Sequence, residues 1–351
     1  MNQAIFNRLP EALLPWYQRN KRDLPWRKDH DPYHVWLSEI MLQQTRVEAV
    51  KGYYERFLNA MPTIGDLAKA DDDQLHKLWE GLGYYTRVRN LKKAAQVIMS
   101  DHCGVFPDDY RKVLALPGIG AYTAGAICSI SFNLPTPAVD GNVLRVIARL
   151  TCDDTPVDLL AYKKMVTDAL SRVYPENAGD FTQALMELGA TICGPNRKPI
   201  CHDCPCKDFC LGHLNGQAEG LPVKSPKRGK RVEELTVFIL HCDGLYAFEK
   251  RPSKGLLADL WQFPNVPGKM DAQVSMHMLE ALGLHPREIT RIADKDHIFT
   301  HIHWLMRGVY VETKETHDRY VWMSPDQIDR EVALPTAFRQ FWNIGEDNNG
   351  K

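Results

Sequence analysis

Leu116-Pro-Gly-Ile-Gly-Ala-Tyr-Thr-Ala-Gly-Ala-Ile127 is the stretch on which the reading of this chain turns. Gly118 and Gly120 let the backbone turn tightly between two helices, and the small residues after them open the second helix. Several N–H groups point outward at such a helix start. Together they can hold a phosphate without any net positive charge. A Leu-Pro-Gly run also stops many helices with no ligand involved, so the hairpin by itself leaves that reading open. Twenty residues past Gly120 comes Ala138-Val-Asp140-Gly-Asn142-Val-Leu-Arg-Val, where Gly141 and Asn142 give the Asp140 carboxylate a polar setting.

Outward from the hairpin, residues 1 to about 213 carry helical spacing, as at Leu75, Leu78, Trp79, Leu82 and at Leu91, Ala94, Ala95, Ile98. Proline and glycine turns punctuate that region. From 214 to 231 the periodicity stops, and the run ending KSPKRGKR has five basic residues and no acid. It reads as an exposed linker, contacting nucleic acid or merely solvated. From about 232, Leu235–Leu240, Leu245–Phe248, His297–Val311 and Arg319–Trp322 are strand-like, and 271–282 is helical. This second region is α+β.

The chain has 351 residues, 44% of them apolar and 25% charged, enough for two or three domains and ordinary for a globular protein. A net charge of −1 argues against binding nucleic acid by bulk charge, though not against a local basic cleft. No run approaches the roughly 18 apolar residues of a membrane span. The N-terminus lacks a signal-peptide pattern. These features lead us to expect a monomer in a bacterial cytoplasm, with no membrane partner.

Five of nine cysteines fall between Cys193 and Cys210. Cys193, Cys201, Cys204 and Cys210 supply four thiolates, which suit zinc or an iron–sulfur cluster. One tight pair with two distant outer cysteines favours a cubane cluster over zinc. Cys206 is too close to Cys204 for a second ligand in that set. Arg197 and Lys198 make the same loop basic, where it could meet a phosphate. Glu39 stands in the apolar run Val35–Leu42, where burial would raise its pKa and keep a proton available.

The hairpin followed by Val139-Asp140, together with the cysteine loop, resembles the base-excision DNA glycosylase superfamily typified by endonuclease III. Over residues 10 to 345 the resemblance is to MutY-type adenine DNA glycosylases. It is carried by Leu24-Pro-Trp-Arg27, Trp36–Thr45, Gly81-Leu-Gly-Tyr-Tyr85, Asp140-Gly-Asn142 and Met186–Ala190. The resemblance implies an all-α helix–hairpin–helix glycosylase domain with an iron–sulfur loop, then an α+β Nudix-like domain at 232–345. Within the first, about 30–134 would form the six-helix part, and 1–29 with 135–213 the cluster part. It further implies a [4Fe-4S] cluster on the four cysteines. The partner would be double-stranded DNA carrying adenine opposite 8-oxoguanine or guanine.

Residue roles follow from the same resemblance. Glu39 would protonate N7 of adenine, and Asp140 would stabilise the sugar at C1′. Asn142 and Tyr122 would orient Asp140 and the sugar or water. Leu42, Gln44 and Thr45 match the intercalating loop, and Tyr84 the aromatic that stacks on 8-oxoguanine. Trp26, Arg27 and Glu187 would line the adenine pocket, with Glu187 accepting from the adenine amino group. Phe299-Thr300-His301 stands where the family has Phe-Ser-His, and would read 8-oxoguanine. Lyases of the superfamily place a Schiff-base lysine two residues past the second hairpin glycine; Tyr122 stands there, which implies a monofunctional enzyme.

Two departures matter. The first cysteine gap is seven residues rather than six, so the expectation is a bulge within Gly194–Ile200. In the second region Met276–Leu284 lacks the acidic run that would bind Mg²⁺ for pyrophosphate hydrolysis, so the module reads as a sensor. A bifunctional lyase and a binding-only lesion sensor are the alternative functions.

Overall fold

The computed structural model describes residues 2–195, 198–226 and 229–342. Arg197 and part of the expected bulge in the cysteine loop lie outside these residues. The chain divides into two compact units, Met1–Ala70 with Arg89–Lys227 and Asp71–Val88 with Arg228–Lys351.

The first unit is helical. In Leu9–Asn20 the buried residues Leu9, Leu13, Trp16 and Tyr17 fall on one stripe, which meets the core. Gly141–Thr151 and Ala178–Thr191 supply Val143, Val146, Ile147, Phe181, Ala184 and Leu188 to the same core. Each fully buried leucine here contributes roughly 2 kcal/mol. Ala121–Phe132 is buried from Thr123 through Ile130 and has no polar stripe. It can lie that deep because Gly125 presses on backbone: a Cβ there would meet the Pro137 carbonyl oxygen at 2.2 Å. At the hairpin, Gly118 has φ +76°, and a Cβ would stand 2.5 Å from Asn90 Cβ. Both the conformation and the space therefore demand glycine.

The stretch read as an exposed linker is only partly that. Ala218 and Leu221 are buried. Arg149 Nε donates to the Leu221 carbonyl at 2.9 Å, Val157 N to the Val223 carbonyl at 3.1 Å, and Ser225 N to Asp158 Oδ1 at 2.9 Å. Backbone bonds anchor this segment to the first unit. They leave no periodic trace in the sequence.

The second unit is built on a mixed sheet of β1 (Arg231–Cys242), β2 (Leu245–Lys250), β3 (Trp261–Gln262), β4 (Asn265–Pro267), β5 (Pro286–Ile298), β6 (Ile302–Thr313) and β7 (Val321–Met323). The order is β3-β2-β1-β6-β5, with β4 on β1 and β7 on β2. Only β1 and β6 run parallel, in the register Leu235↔Met306. Side chains alternate faces. Leu235, Val237 and Ile239 join Trp304, Met306, Phe338 and Phe341 on one face. Phe238 and Leu240 join Val309, Val311 and Leu279 on the other. The span His297–Val311 is not one strand but a hairpin: β5 and β6 pair as far as Ile298↔His303, leaving Phe299-Thr300-His301 at the tip. Ala272–Ala281 is helical, as the sequence indicated.

Segment Asp71–Val88 belongs with this second unit, although its sequence reads with the helical region. Lys250 Nζ pairs with Asp73 at 2.8 Å, and Lys77 Nζ donates to the Val332 carbonyl at 3.1 Å. Among the described residues no helix is long and apolar enough to cross a membrane.

Candidate active site

A cavity of about 540 Å³ opens within the first unit. It gathers ten of the residues singled out from sequence: Trp26, Arg27, Glu39, Leu42, Gln44, Thr45, Tyr122, Asp140, Asn142 and Glu187. Helix Pro32–Met41, capped by Asp31, brings Glu39 in from one wall. Ala121–Phe132 brings Tyr122, and the start of Gly141–Thr151 brings Asp140 and Asn142.

Glu39 is 5% exposed. Burial pushes its carboxyl up to about 7, the hydrogen bond from Tyr122 offsets part of this, and the nearby Asp140 charge raises it further. Tyr122 OH donates to Glu39 Oε2 at 2.6 Å. Burial, and then the Glu39 charge, hold that phenol well above its ordinary pKa, so it stays a donor. Tyr122 is thus engaged with Glu39.

Asp140 is the N-cap of its helix. Its Oδ1 accepts from the backbone N–H of Asn142 at 2.9 Å and of Val143 at 2.8 Å, while Oδ2 accepts from Asn142 Nδ2 at 2.7 Å. Three donors at a helix N-terminus suit a negative charge. The two carboxyls therefore sit in contrasting environments: one desolvated, one solvated by protein dipoles. Such a pair can give a proton at one point and stabilise developing positive charge at another.

Glu187 is fully buried on the same wall. Arg22 donates to Oε1 from Nε at 2.6 Å and to Oε2 from Nη2 at 3.0 Å, and Arg27 Nη2 donates to Oε2 at 2.8 Å. Burial alone would raise this carboxyl, but the two arginines outweigh it and hold it below its usual value. An amino group accepted by Glu187 would have to share oxygens the arginines already occupy. Trp26 packs edge-on against Tyr54, with ring centroids 5.6 Å apart. Gln44 has a left-handed backbone, φ +60°, just past the helix of Glu39.

Cys193, Cys201, Cys204 and Cys210 line one small apolar cavity in this unit. Among the described residues, no three Cys, His, Asp or Glu side chains converge as ligands of a single metal ion. Four thiols around one apolar cavity are the donor type that an iron–sulfur cluster takes. Cys206 is fully buried, and its thiol hydrogen-bonds the Cys204 sulfur. Lys198 Nζ is engaged with Glu219 at 2.9 Å on the surface.

Sequence reasoning missed Arg22, Arg145, Arg149 and Lys163. Arg145 Nη2 donates to Asn142 Oδ1 at 3.0 Å and its Nε to the Cys193 carbonyl at 2.9 Å, so it spans from the Asp140 neighbourhood to the cysteine loop. Arg149 Nη1 donates to the Cys193 sulfur at 3.2 Å. Their i, i+4 spacing along a helix of known buried face was the available signal. Lys163 lines the same cavity as Glu39 and Asp140.

The remaining expected contacts lie in the second unit. Tyr84, with φ +48°, hydrogen-bonds through its OH to Thr300 Oγ1 at 2.9 Å. Phe299 packs on His297 and Trp304, with ring centroids 4.5 and 4.9 Å away. His301 is exposed beside them, and His303 pairs with Asp296 at 2.8 Å.

Residues 37–172 match the family model described as HhH-GPD superfamily base excision DNA repair protein, and residues 236–343 match a NUDIX domain. The chain is 38% identical to an adenine DNA glycosylase of Arabidopsis thaliana, an alignment covering 86% of this chain and 56% of that protein. It is 33% identical to the adenine DNA glycosylase of Rattus norvegicus, over 96% of this chain and 77% of that one. The chain thus spans little more than half of the plant relative. A solved thermostable thymine-DNA glycosylase superposes with TM-score 0.55 at 29% identity, covering 60% of this chain and 98% of that structure.

Proposed function

This chain belongs to the adenine DNA glycosylase family of the HhH-GPD base excision repair superfamily, and on that premise we propose that it hydrolyses the N-glycosidic bond of adenine mispaired with 8-oxoguanine or guanine in double-stranded DNA. The observation that carries the reading is the pair of unlike carboxyls facing one cavity: buried Glu39, held near pH 7, and helix-capping Asp140.

A base inside a duplex is out of reach, so adenine must be extruded into the cavity. Leu42, Gln44 and Thr45 are the wedge that fills the gap. Trp26 and the Glu187–Arg27 pair bound the base pocket. Glu39 gives its proton to N7, and the C1′–N9 bond breaks with its electron pair leaving on the base. The Asp140 carboxylate stabilises the positive charge left on the sugar. Water then adds at C1′ and releases a proton to the enzyme, so the strand stays intact with an abasic site. Tyr122 cannot form an imine, which supports a monofunctional enzyme.

Tyr84 and Phe299-Thr300-His301 take the 8-oxoguanine side of the pair. The hairpin at Gly118 and Gly120, with Lys198, contacts the phosphate backbone. Cys193, Cys201, Cys204 and Cys210 hold a [4Fe-4S] cluster, whose iron–thiolate bonds fix the loop. Iron and sulfide analysis, together with visible absorbance, tests that assignment: four irons per chain, lost on Cys201→Ala, is the expected result. Base release from a duplex with adenine opposite 8-oxoguanine tests the activity. An enzyme loaded with its cluster, bound to that duplex and releasing no adenine, would remove the proposal.

A further inference from the structure

We propose that Glu80 and Arg339 are specificity-determining positioning residues: their ion pair sets the loop carrying Tyr84 against the hairpin tip carrying Thr300. The inference rests on reading Tyr84 and Thr300 as the 8-oxoguanine contacts. All the groups involved lie in the second unit.

The loop is rigid within itself. Gly81 and Gly83 have φ of +94° and +67°, and Tyr84 has +48°. A left-handed aromatic residue persists only where its surroundings over-determine it. They do so here. Trp79 Nε1 donates to the Gly83 carbonyl at 3.1 Å. Arg87 Nη2 donates to the carbonyls of Leu82 at 2.8 Å and Gly83 at 3.1 Å. The Arg87 guanidinium lies over both Trp79 and Tyr84. What remains to be set is where this preformed loop stands relative to the hairpin.

Glu80, four residues before Tyr84, sets it. Its Oε1 accepts from Arg339 Nη2 at 2.7 Å, Arg339 Nε at 3.0 Å and Leu334 N at 3.1 Å. Its Oε2 accepts from Lys77 Nζ at 2.7 Å, and the Glu80 side chain is only 18% exposed. A partly desolvated pair in which one carboxylate oxygen accepts two N–H groups of the same guanidinium holds geometry better than an open surface pair. Arg339 has a longer contact of 3.6 Å to Asp329, which cannot replace the Glu80 pair.

From Arg339 the packing closes a circuit. Phe338 meets Trp304 at 5.9 Å between ring centroids, Trp304 meets Phe299 at 4.9 Å, and Thr300 follows Phe299. Thr300 then returns to Tyr84 through the 2.9 Å hydroxyl contact. That contact is exposed and weak alone. It is held in register by the ion pair at the far side of the circuit.

The test uses the full chain carrying Arg339→Met. Two quantities are read: amide exchange across Gly81–Arg87, and the ratio of single-turnover adenine release opposite 8-oxoguanine to that opposite guanine. Exchange should quicken and the ratio should fall about fivefold, with the rate opposite guanine unchanged. Thr300→Val added to Arg339→Met should lower the ratio by less than the product of the single effects. If Arg339→Met does not fold, Glu80→Gln carries the same readings, because glutamine keeps an acceptor for Leu334. A folded variant with unchanged exchange and an unchanged ratio overturns the proposal. Wild-type protein that releases no adenine from either duplex would remove the reading of the site instead; amide exchange would still decide the positioning role.

Discussion

In the first unit Glu39 is 5% exposed and Asp140 is enclosed by three N–H donors; in the second, Tyr84 is 49% exposed and Thr300 stands at an open hairpin tip. The contrast follows from what each region must do. A carboxyl keeps its proton near neutrality only if water is withdrawn from it. A surface that admits an intact base on the opposing strand, as proposed for Tyr84 and Thr300, has to stay open. Its precision must then come from backbone held in place behind it.

The largest effect expected is on the buried side. Glu39→Gln should leave binding of the mismatched duplex intact and lower single-turnover base release by about 10²–10⁴-fold. The same change should stabilise the fold. Glu39 holds its proton to about pH 7 when folded, against an ordinary 4.5, so wild-type stability should fall as pH rises between those values. Above pH 7 the variant, which avoids charging a buried group, should be more stable by on the order of 3 kcal/mol. Equal melting of the two proteins at pH 8 would show that Glu39 is not desolvated as described.

Tyr122→Phe sharpens the comparison further. The Tyr122 hydrogen bond favours the charged form of Glu39, so its loss should move the alkaline limb of the rate profile upward. In the wild type, base release should decline as pH rises through about 7. A limb that stays put would detach the phenol from the acid. Borohydride trapping on an abasic duplex should give little adduct. Strong trapping abolished by Lys163→Met would identify the cavity's lysine as an amine that reaches C1′.

The hairpin Leu116–Gly120 and the burial of Glu39 in its apolar run were legible because each is a local pattern with a physical reason. The pairing of Glu187 with Arg22 was not: the partners are 165 residues apart, and nothing near Arg22 marks it as a partner of a buried carboxylate. Glu80 and Arg339 are 259 residues apart. Strand β5 escaped because Pro286–Ile298 is an edge strand exposed over most of its length, so its charged residues break the alternation that marks a half-buried strand. Arg145 and Arg149 are 5% and 3% exposed and direct their donors at carbonyls and a sulfur.

On the open side the effects should be smaller. Thr300→Ala should lower the preference for 8-oxoguanine over guanine several-fold, on the scale of one lost hydrogen bond at roughly 1 kcal/mol, and leave release opposite guanine unchanged. An unchanged ratio would take Thr300 out of recognition. Lys198→Ala should do least, since Lys198 is exposed and already paired with Glu219. Duplex affinity and its salt slope should shift by at most one phosphate contact.

The most direct measurement is single-turnover base release from four duplexes, with adenine opposite 8-oxoguanine, guanine, cytosine and thymine, each with and without hot alkali. Release opposite 8-oxoguanine and guanine alone, with strand breaks only after alkali, is the expected result. Breaks without alkali, or no release from a DNA-binding preparation that carries its cluster, would contradict the assignment of Glu39, Asp140 and Tyr122.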